Sequence, residues 1–373
     1  MSEKIKFVNV DKSNFFSTLK KRVDDYFAAN RKSRHANGTM IFKAIFYLGI
    51  LIAAYFLLIF GQFGLPVIFS LWIIVGLFTA FTAVNVCHDA IHGALSGNKN
   101  VNKIFWPVFA ILGASPYVWS IMHNIAHHTY PNIEGHDEDI EQMPILLRMS
   151  PNQKLKKIHR HQYWFAFLLY GLTSLSWVFI KDYKKFFQKD IGNYDNKHHP
   201  KIEYFNLFFY KALYYTIFLV IPIIMIELSW WQVVLGFLAL HAFEGFTLAV
   251  IFMLAHIVEK AHFPLHDIDG KIKNAWAIHQ LYTTVDFARN SAFVSFFTGG
   301  LNFQIEHHLF PQICHIHYRP ISEIVQKTAH EYNVPYFENI TFFGAIRSHI
   351  RFLKKFGREE IKAHSCLNHD LPD

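Results

Sequence analysis

Cysteine, glycine and charge are all scarce in this 373-residue chain. The three cysteines, Cys87, Cys314 and Cys366, are too few and too scattered for a disulfide framework or a Cys-rich zinc site, and they fit a reducing compartment. Charged residues make up 17% of the chain and apolar residues 52%, with a mean hydropathy of +0.17. That balance excludes a disordered chain and argues against an ordinary soluble enzyme. Glycine, at 18 residues, is outnumbered by histidine, at 24, the reverse of normal usage. No apolar run lies close to the start, so no secretory signal is expected and the opening residues should stay cytoplasmic. A formal charge of +8 comes without any nucleic-acid-binding module. Basic cytoplasmic segments on a membrane protein account for it, and no nucleic-acid partner is expected.

What is present is length of apolar sequence. Uncharged or nearly uncharged runs lie at Ala44–Phe60, Phe63–Val86, Ile104–Trp119, Tyr163–Ile180, Tyr204–Ile226 and Trp230–Ala255. Several can cross a hydrocarbon core of about 30 Å. Gly61-Gln62 joins the first two and Glu227-Leu228-Ser229 the last two, so each pair reads as a tight hairpin whose turn carries no Lys or Arg. Arg148, Lys154, Lys156, Lys157 and Arg160 precede Tyr163–Ile180, and Lys181, Lys184, Lys185, Lys189, Lys197 and Lys201 follow it. Positive charge gathers on the cytoplasmic side, so both flanks of that run belong there and it should lie in the interface or dip and return. Ile104–Trp119 is short and holds Pro107 and Pro116, which fits the same behaviour. The expected fold is an all-α integral membrane protein, with four transmembrane helices in two hairpins, interfacial helices, and a cytoplasmic helical cap carrying the metal site. Residues 1–40 read as a cytoplasmic segment, with a helical stretch over Phe15–Ala29. Residues 41–340 read as the membrane domain and 341–373 as a basic cytoplasmic tail.

The histidines concentrate at the ends of the apolar runs. His88 and His92 follow the second, and His123, His127 and His128 follow Ile104–Trp119. His256 closes the last run, and Gln304, His307 and His308 come later. On a helix, residues four apart share a face about 6 Å apart along the axis. His88 with His92, and His123 with His127, are therefore expected each to grip one metal region. Adjacent histidines point roughly 100° apart, so His127-His128 and His307-His308 suit two neighbouring ions, with Gln304 one turn away. Four crossings bring every one of these groups to the cytoplasmic side. A fifth would strand His256 and the last group outside.

Imidazole suits Zn, Cu, Fe and Ni, whereas Mg or Ca sites are oxygen-rich. Eight histidines exceed what a hydrolytic zinc site needs, and no HExxH is present. The expectation is a pair of iron ions that activates O2. His136, His262, His279, His315 and His317 are expected to stand behind the ligands or at the surface.

The groups His88–His92, His123–His128 and Gln304–His308 match in order and spacing the three histidine boxes of the membrane fatty acid desaturases, which the chain resembles over roughly residues 40–340. The run Asn302-Phe303-Gln304-Ile305-Glu306-His307-His308-Leu309-Phe310-Pro311 is similar to the front-end branch, which places a double bond between an existing one and the carboxyl end. The resemblance implies a fatty acyl substrate carried on CoA, acyl carrier protein or phospholipid. It also implies O2 as co-substrate, a cis alkene and water as products, and His256 as a further metal ligand. No His-Pro-Gly-Gly haem motif of a fused cytochrome b5 domain is found. Electrons are expected from a separate ferredoxin or cytochrome b5 type protein, as in stand-alone bacterial relatives of the inner membrane. Asp89, Asp137, Asp139 and Glu306 are candidates to hold ring N–H groups of the ligands. Lys154, Lys156 and Lys157 are candidates to attract a phosphate-bearing head. His241 and Glu244 are ionisable groups inside an apolar run. Glu244 lies about 18 Å before His256, too deep for a ligand, and reads as a helix–helix contact or the end of an acyl tunnel. A membrane hydroxylase acting on an alkyl chain, sterol or carotenoid is the rival reading. A His-rich metal transporter fits less well, because transport sites lie near the bilayer midplane.

Overall fold

The computed structural model describes residues 4–10, 12–138, 140 and 145–359. Asp139 and Cys366 lie outside the described residues. The first helix, α1 (Phe15–Ala29), is amphipathic: Phe15, Leu19, Val23 and Phe27 recur every fourth residue and all are buried. Next, α2 (Gly38–Phe60) is started by Asn37, whose side chain accepts the amides of Thr39 and Met40 at 2.9 and 3.3 Å. It is joined tightly to α3 (Leu65–Ile91), which widens into a π-helical turn over Ala83–Cys87.

Two bent pairs lie in the middle of the chain. The axes of α4 (Lys99–Ile111) and α5 (Pro116–His127) turn through 113°, and those of α6 (Lys157–Tyr170) and α7 (Thr173–Phe187) through 70°. At the first bend Gly113 has φ +106°, a region that side chains avoid, and a Cβ there would sit 2.8 Å from Val178. The second hairpin is α8 (Lys201–Met225) with α9 (Trp230–His256). Thus α2, α3, α8 and α9 are long and apolar enough to cross a membrane. Their outward residues, among them Ile45, Phe60, Phe205 and Trp230, are exposed hydrophobics that a bilayer would cover.

At the centre α3 crosses α9 very closely. A Cβ on Gly76 would come within 2.3 Å of the Leu240 carbonyl oxygen, and one on Gly236 within 2.3 Å of the Trp72 ring. Gly76 lets the two backbones approach and Gly236 makes room for the Trp72 ring, the close packing that membrane helices use when packing replaces the hydrophobic drive.

The remaining helices, α10 (Trp276–Thr283), α11 (Ala292–Phe297), α12 (Gln304–Leu309), α13 (Tyr318–Glu331) and α14 (Phe342–Phe356), follow α9. Six two-residue strands are described: β1 (Lys6–Phe7), β2 (Asp190–Ile191), β3 (Tyr194–Asp195), β4 (Lys271–Ile272), β5 (Asp286–Phe287) and β6 (Glu338–Asn339). β1–β4 and β5–β6 pair in parallel and β2–β3 antiparallel. The Leu19 side of α1 shares an apolar core with Leu281, Ile305 and Val325. The segment expected as a tail forms α14, which buries Ala345, Phe352 and Leu353 against Ala255 and Phe263 near the end of α9. Residues 360–373 lie outside the described residues.

Candidate metal centre

The elements that bear histidine meet at one end of the four long helices. His88 ends the π-widened part of α3 and His92 follows one turn on. The second group sits on a π-helical stretch, Ile121–His127. Such turns recur at functional sites because they rotate side chains off the regular face. The third group occupies α12, and His256 is the last residue of α9.

Four histidines form one group: the nearest ring nitrogens of His88, His92, His123 and His307 all lie within 4.8 Å of one another. His127, His256 and His308 form a second on the same criterion. His128 lies between them, its ring 4.8 Å from His92, 4.6 Å from His307 and 4.4 Å from His308, centre to centre. His88 and His92 therefore share a region, as their spacing predicts, and the adjacent pair His307-His308 divides between two. The expectation that His123 and His127 share one region is corrected. They fall in different groups although their rings stack 5.1 Å apart, and the His128 amide donates to the His123 carbonyl at 2.9 Å, five residues back rather than four.

Chemistry agrees with a pair of cations here. Both ring nitrogens of His88, Nε2 of His92, His307 and His308, Nδ1 of His128 and Oε1 of Gln304 are buried with no hydrogen bond among the described residues. So many orphaned polar atoms together are costly unless something takes their lone pairs. Burial first, and then the mutual repulsion of neighbouring imidazolium charges, hold His92, His128, His307 and His308 well below the usual imidazole range. These rings are therefore neutral, the form a metal binds.

The far nitrogens are held from behind. His127 Nδ1 faces Asp137 Oδ1 at 3.0 Å, and His308 Nδ1 faces Gln280 Oε1 at 2.8 Å. His307 Nδ1 lies 3.3 Å from the Tyr318 hydroxyl, and His256 Nδ1 lies 3.2 Å from the Thr283 carbonyl. Each contact fixes a ring so that Nε2 turns inward. Asn132, with φ +59°, donates through Nδ2 to the carbonyls of His256, His262 and Thr283 and ties these segments together. Gln304 touches His256, Nε2 to Nε2, at 2.9 Å. Sequence reasoning missed Gln280, Tyr318, Thr283 and Asn132, which belong to no motif and reach the site only through folding.

The other candidates are placed as follows. Asp89 accepts from the amide and Nδ1 of His315 at 3.1 and 2.9 Å, while its second oxygen lies 3.9 Å from His88 Nδ1. Lys43 donates to His315 Nε2 at 2.7 Å. Asp89, Cys314 and His315 form a third metal-like group, but the Lys43 ammonium supplies its positive charge. Glu306 points away from the ligand rings. Its Oε1 lies 3.0 Å from the Tyr336 hydroxyl, which donates to Asp286 at 2.5 Å, and burial together with the Asp286 charge raises Glu306 well above the usual carboxylate range. His279 bonds the Pro131 carbonyl and His317 that of His35. Lys154, Lys156 and Lys157 are exposed.

A narrow cavity of about 40 Å³ is lined by His88, Trp119, Phe109, Trp177, Leu248, Phe252, Ser174 and Glu244. Its walls are largely apolar.

Comparison with known proteins gives the same answer. The family model described as fatty acid desaturase matches residues 64–339. The sn-1 linoleoyl-lipid 6-desaturase of Synechocystis sp. is 35% identical over 361 residues, covering 96% of this chain and 99% of that protein. The protein of the same name from Arthrospira platensis is 34% identical over 341 residues, 91% and 92% of the two chains. The acyl-lipid (8-3)-desaturase of Physcomitrium patens is 34% identical over 362 residues, 96% of this chain and 75% of the other. Histidine boxes that fold into two adjoining groups beside an apolar cavity, and relatives along nearly the whole length, establish that the chain belongs to the fatty acid desaturase family.

Proposed function

We propose that this membrane enzyme is a front-end desaturase. It would introduce a cis double bond on the carboxyl side of an existing one in a lipid-linked polyunsaturated acyl chain, using O2 and two electrons. The observation that carries the reading is the adjacency of the split histidine groups and the apolar cavity, because His88 belongs to both. Relatives named as linoleoyl-lipid 6-desaturases and (8-3)-desaturases support the front-end position and a lipid carrier.

Two irons are assigned, one to His88, His92, His123 and His307 and the other to His127, His256 and His308. His128 stands between them and Gln304 beside the second. Bound there, the metal pair supplies the oxidising power that no side chain has for an unactivated CH2. The residues of the chain do the rest. Trp119, Phe109 and Phe252 hold the acyl chain and keep water out, and His88 at the cavity mouth sets which carbon is presented. Asp137, Gln280 and Tyr318 keep the rings aimed inward. A separate ferredoxin or cytochrome b5 type donor would supply electrons at the cytoplasmic face of a bacterial inner membrane, a side that the lysine-rich segments support through the positive-inside tendency.

Expression in a host fed defined polyunsaturated acids, with double bonds located by mass spectrometry, tests the reading. New double bonds on the carboxyl side and about two irons per chain are expected. Hydroxylated products, or a single zinc without iron, would overturn it.

A further inference from the structure

Ionisable groups inside a membrane helix are costly and need a reason. His241 has one. Ser174 Oγ donates to the His241 carbonyl at 3.0 Å, so the contact from His241 Nδ1 to that oxygen, 2.9 Å, is donated by the ring. Nε2 meets the Tyr214 hydroxyl at 3.0 Å. Both ring nitrogens of His241 are used. Glu244 is different. It is 5% exposed, and Oε2 makes no hydrogen bond among the described residues, its approach to His241 Nδ1 being 3.6 Å.

Glu244 also lines the cavity that His88 lines. Its position is held tightly. The next residue, Gly245, lies so close to α7 that a Cβ there would come within 2.9 Å of the Ser174 amide nitrogen and of the Tyr170 carbonyl oxygen. The helix therefore cannot turn to carry the carboxyl away. Of the α9 residues that line the cavity, Phe252, Leu248 and Glu244, Glu244 lies farthest from the histidines, about 18 Å before His256 along the helix.

We infer that Glu244 is the terminus of the acyl cavity and sets how many carbons extend past the reacting position. This rests on the desaturase reading and names a specificity-determining residue within it. A methyl end that reached the carboxyl would set apolar surface against a buried polar group and offer it no hydrogen bond, so chains longer than the cavity are rejected. Removing the carboxyl opens the space toward His241 and Tyr214.

The test uses a series of acyl substrates that share the double-bond position counted from the carboxyl end and differ only in the methylenes beyond it, supplied in competition to the whole membrane-inserted protein. Glu244→Ala is expected to shift the ratio of long to short products roughly tenfold toward the longer chains, the scale at which a pocket reads a methylene. Glu244→Gln, which keeps the size and polarity, is expected to leave the parental ratio in place. Val178→Phe narrows the same end and is expected to favour shorter chains; it decides the matter if Glu244→Ala fails to insert. Desaturated products in an unchanged ratio for Glu244→Ala, or for Val178→Phe where that variant decides, overturn the inference alone. Equal shifts in the Ala and Gln variants overturn it as well. No desaturated product from the parent protein on any member of the series overturns the desaturase reading and the inference with it.

Discussion

His128 is in ring contact with members of both histidine groups, with His92, His123 and His307 on one side and His308 on the other. His256, by contrast, meets the second group alone, through His127 and His308. His128→Ala should therefore lower bound iron at both positions, whereas His256→Ala should lower it by about half; iron per chain after purification checks the difference. Asp137 acts one step further out. It fixes the His127 ring through Oδ1 and accepts the Asn132 amide at 2.8 Å through Oδ2. Asp137→Asn removes the charge while keeping the shape, and such outer partners are typically worth 10–100-fold in metal affinity. Loss of iron at about that much lower chelator concentration than in the parent is the expected result, and an unchanged chelator profile refutes it. At this scale the histidines were legible because spacing and position at helix ends mark them. The partners Gln280 and Tyr318 were not, since no local pattern links them to His308 and His307.

The long helices were legible as apolar runs, and their bounds in the structure differ from the sequence reading by a few residues. The π turns were not, because a single widened turn leaves the apolar pattern of a buried helix nearly unchanged while moving the histidines beyond it by one register step. The role of Gly76 was equally hidden, since it depends on what crosses there. A Cβ on Gly76 meets backbone at Leu240 rather than a movable side chain. Gly76→Ala is therefore expected to force α3 and α9 apart and to cost about 1–3 kcal/mol, the usual penalty of overpacking, read as a lowered thermal midpoint in detergent. The docking of α14 has a pH signature. His349 bonds the Tyr170 hydroxyl at 2.7 Å and the Ile257 carbonyl at 2.6 Å, and burial pushes it down to about 4. Its folded value lies below the ordinary 6.5, so the unfolded chain binds the extra proton first. Its contribution is thus complete above about pH 6.5 and is lost as pH falls toward 4. The stability advantage of the parent over His349→Gln should shrink across that window, and a constant difference would show that the ring does not stay neutral.

For the molecule as a whole, charge and ligand geometry make one demand on topology. The starts of α2 and α8 and the ends of α3 and α9 must lie on the same side for His88, His92 and His256 to meet, and in the structure they do. The turns at the opposite end, around Gln62 and Glu227, carry neither Lys nor Arg, whereas Lys154–Arg160 and Lys181–Lys201 flank the bent pair on the histidine side. Since positive loops are retained in the cytoplasm, the turns should face outward. Gln62, Glu227 and Lys154 are all exposed, so a cysteine at each can report its side without disturbing the core. The parental Cys87 and Cys314 are buried, and labelling of the unaltered protein supplies the background. A membrane-impermeant maleimide applied to intact cells should label Gln62→Cys and Glu227→Cys above that background, and Lys154→Cys only after the membrane is opened. Labelling of Lys154→Cys on intact cells would put the histidines outside, away from any cytoplasmic electron donor. The converse pattern leaves the metal centre, the mouth of the acyl cavity and the basic segments on one face, where a soluble donor and an anionic lipid headgroup can both reach them.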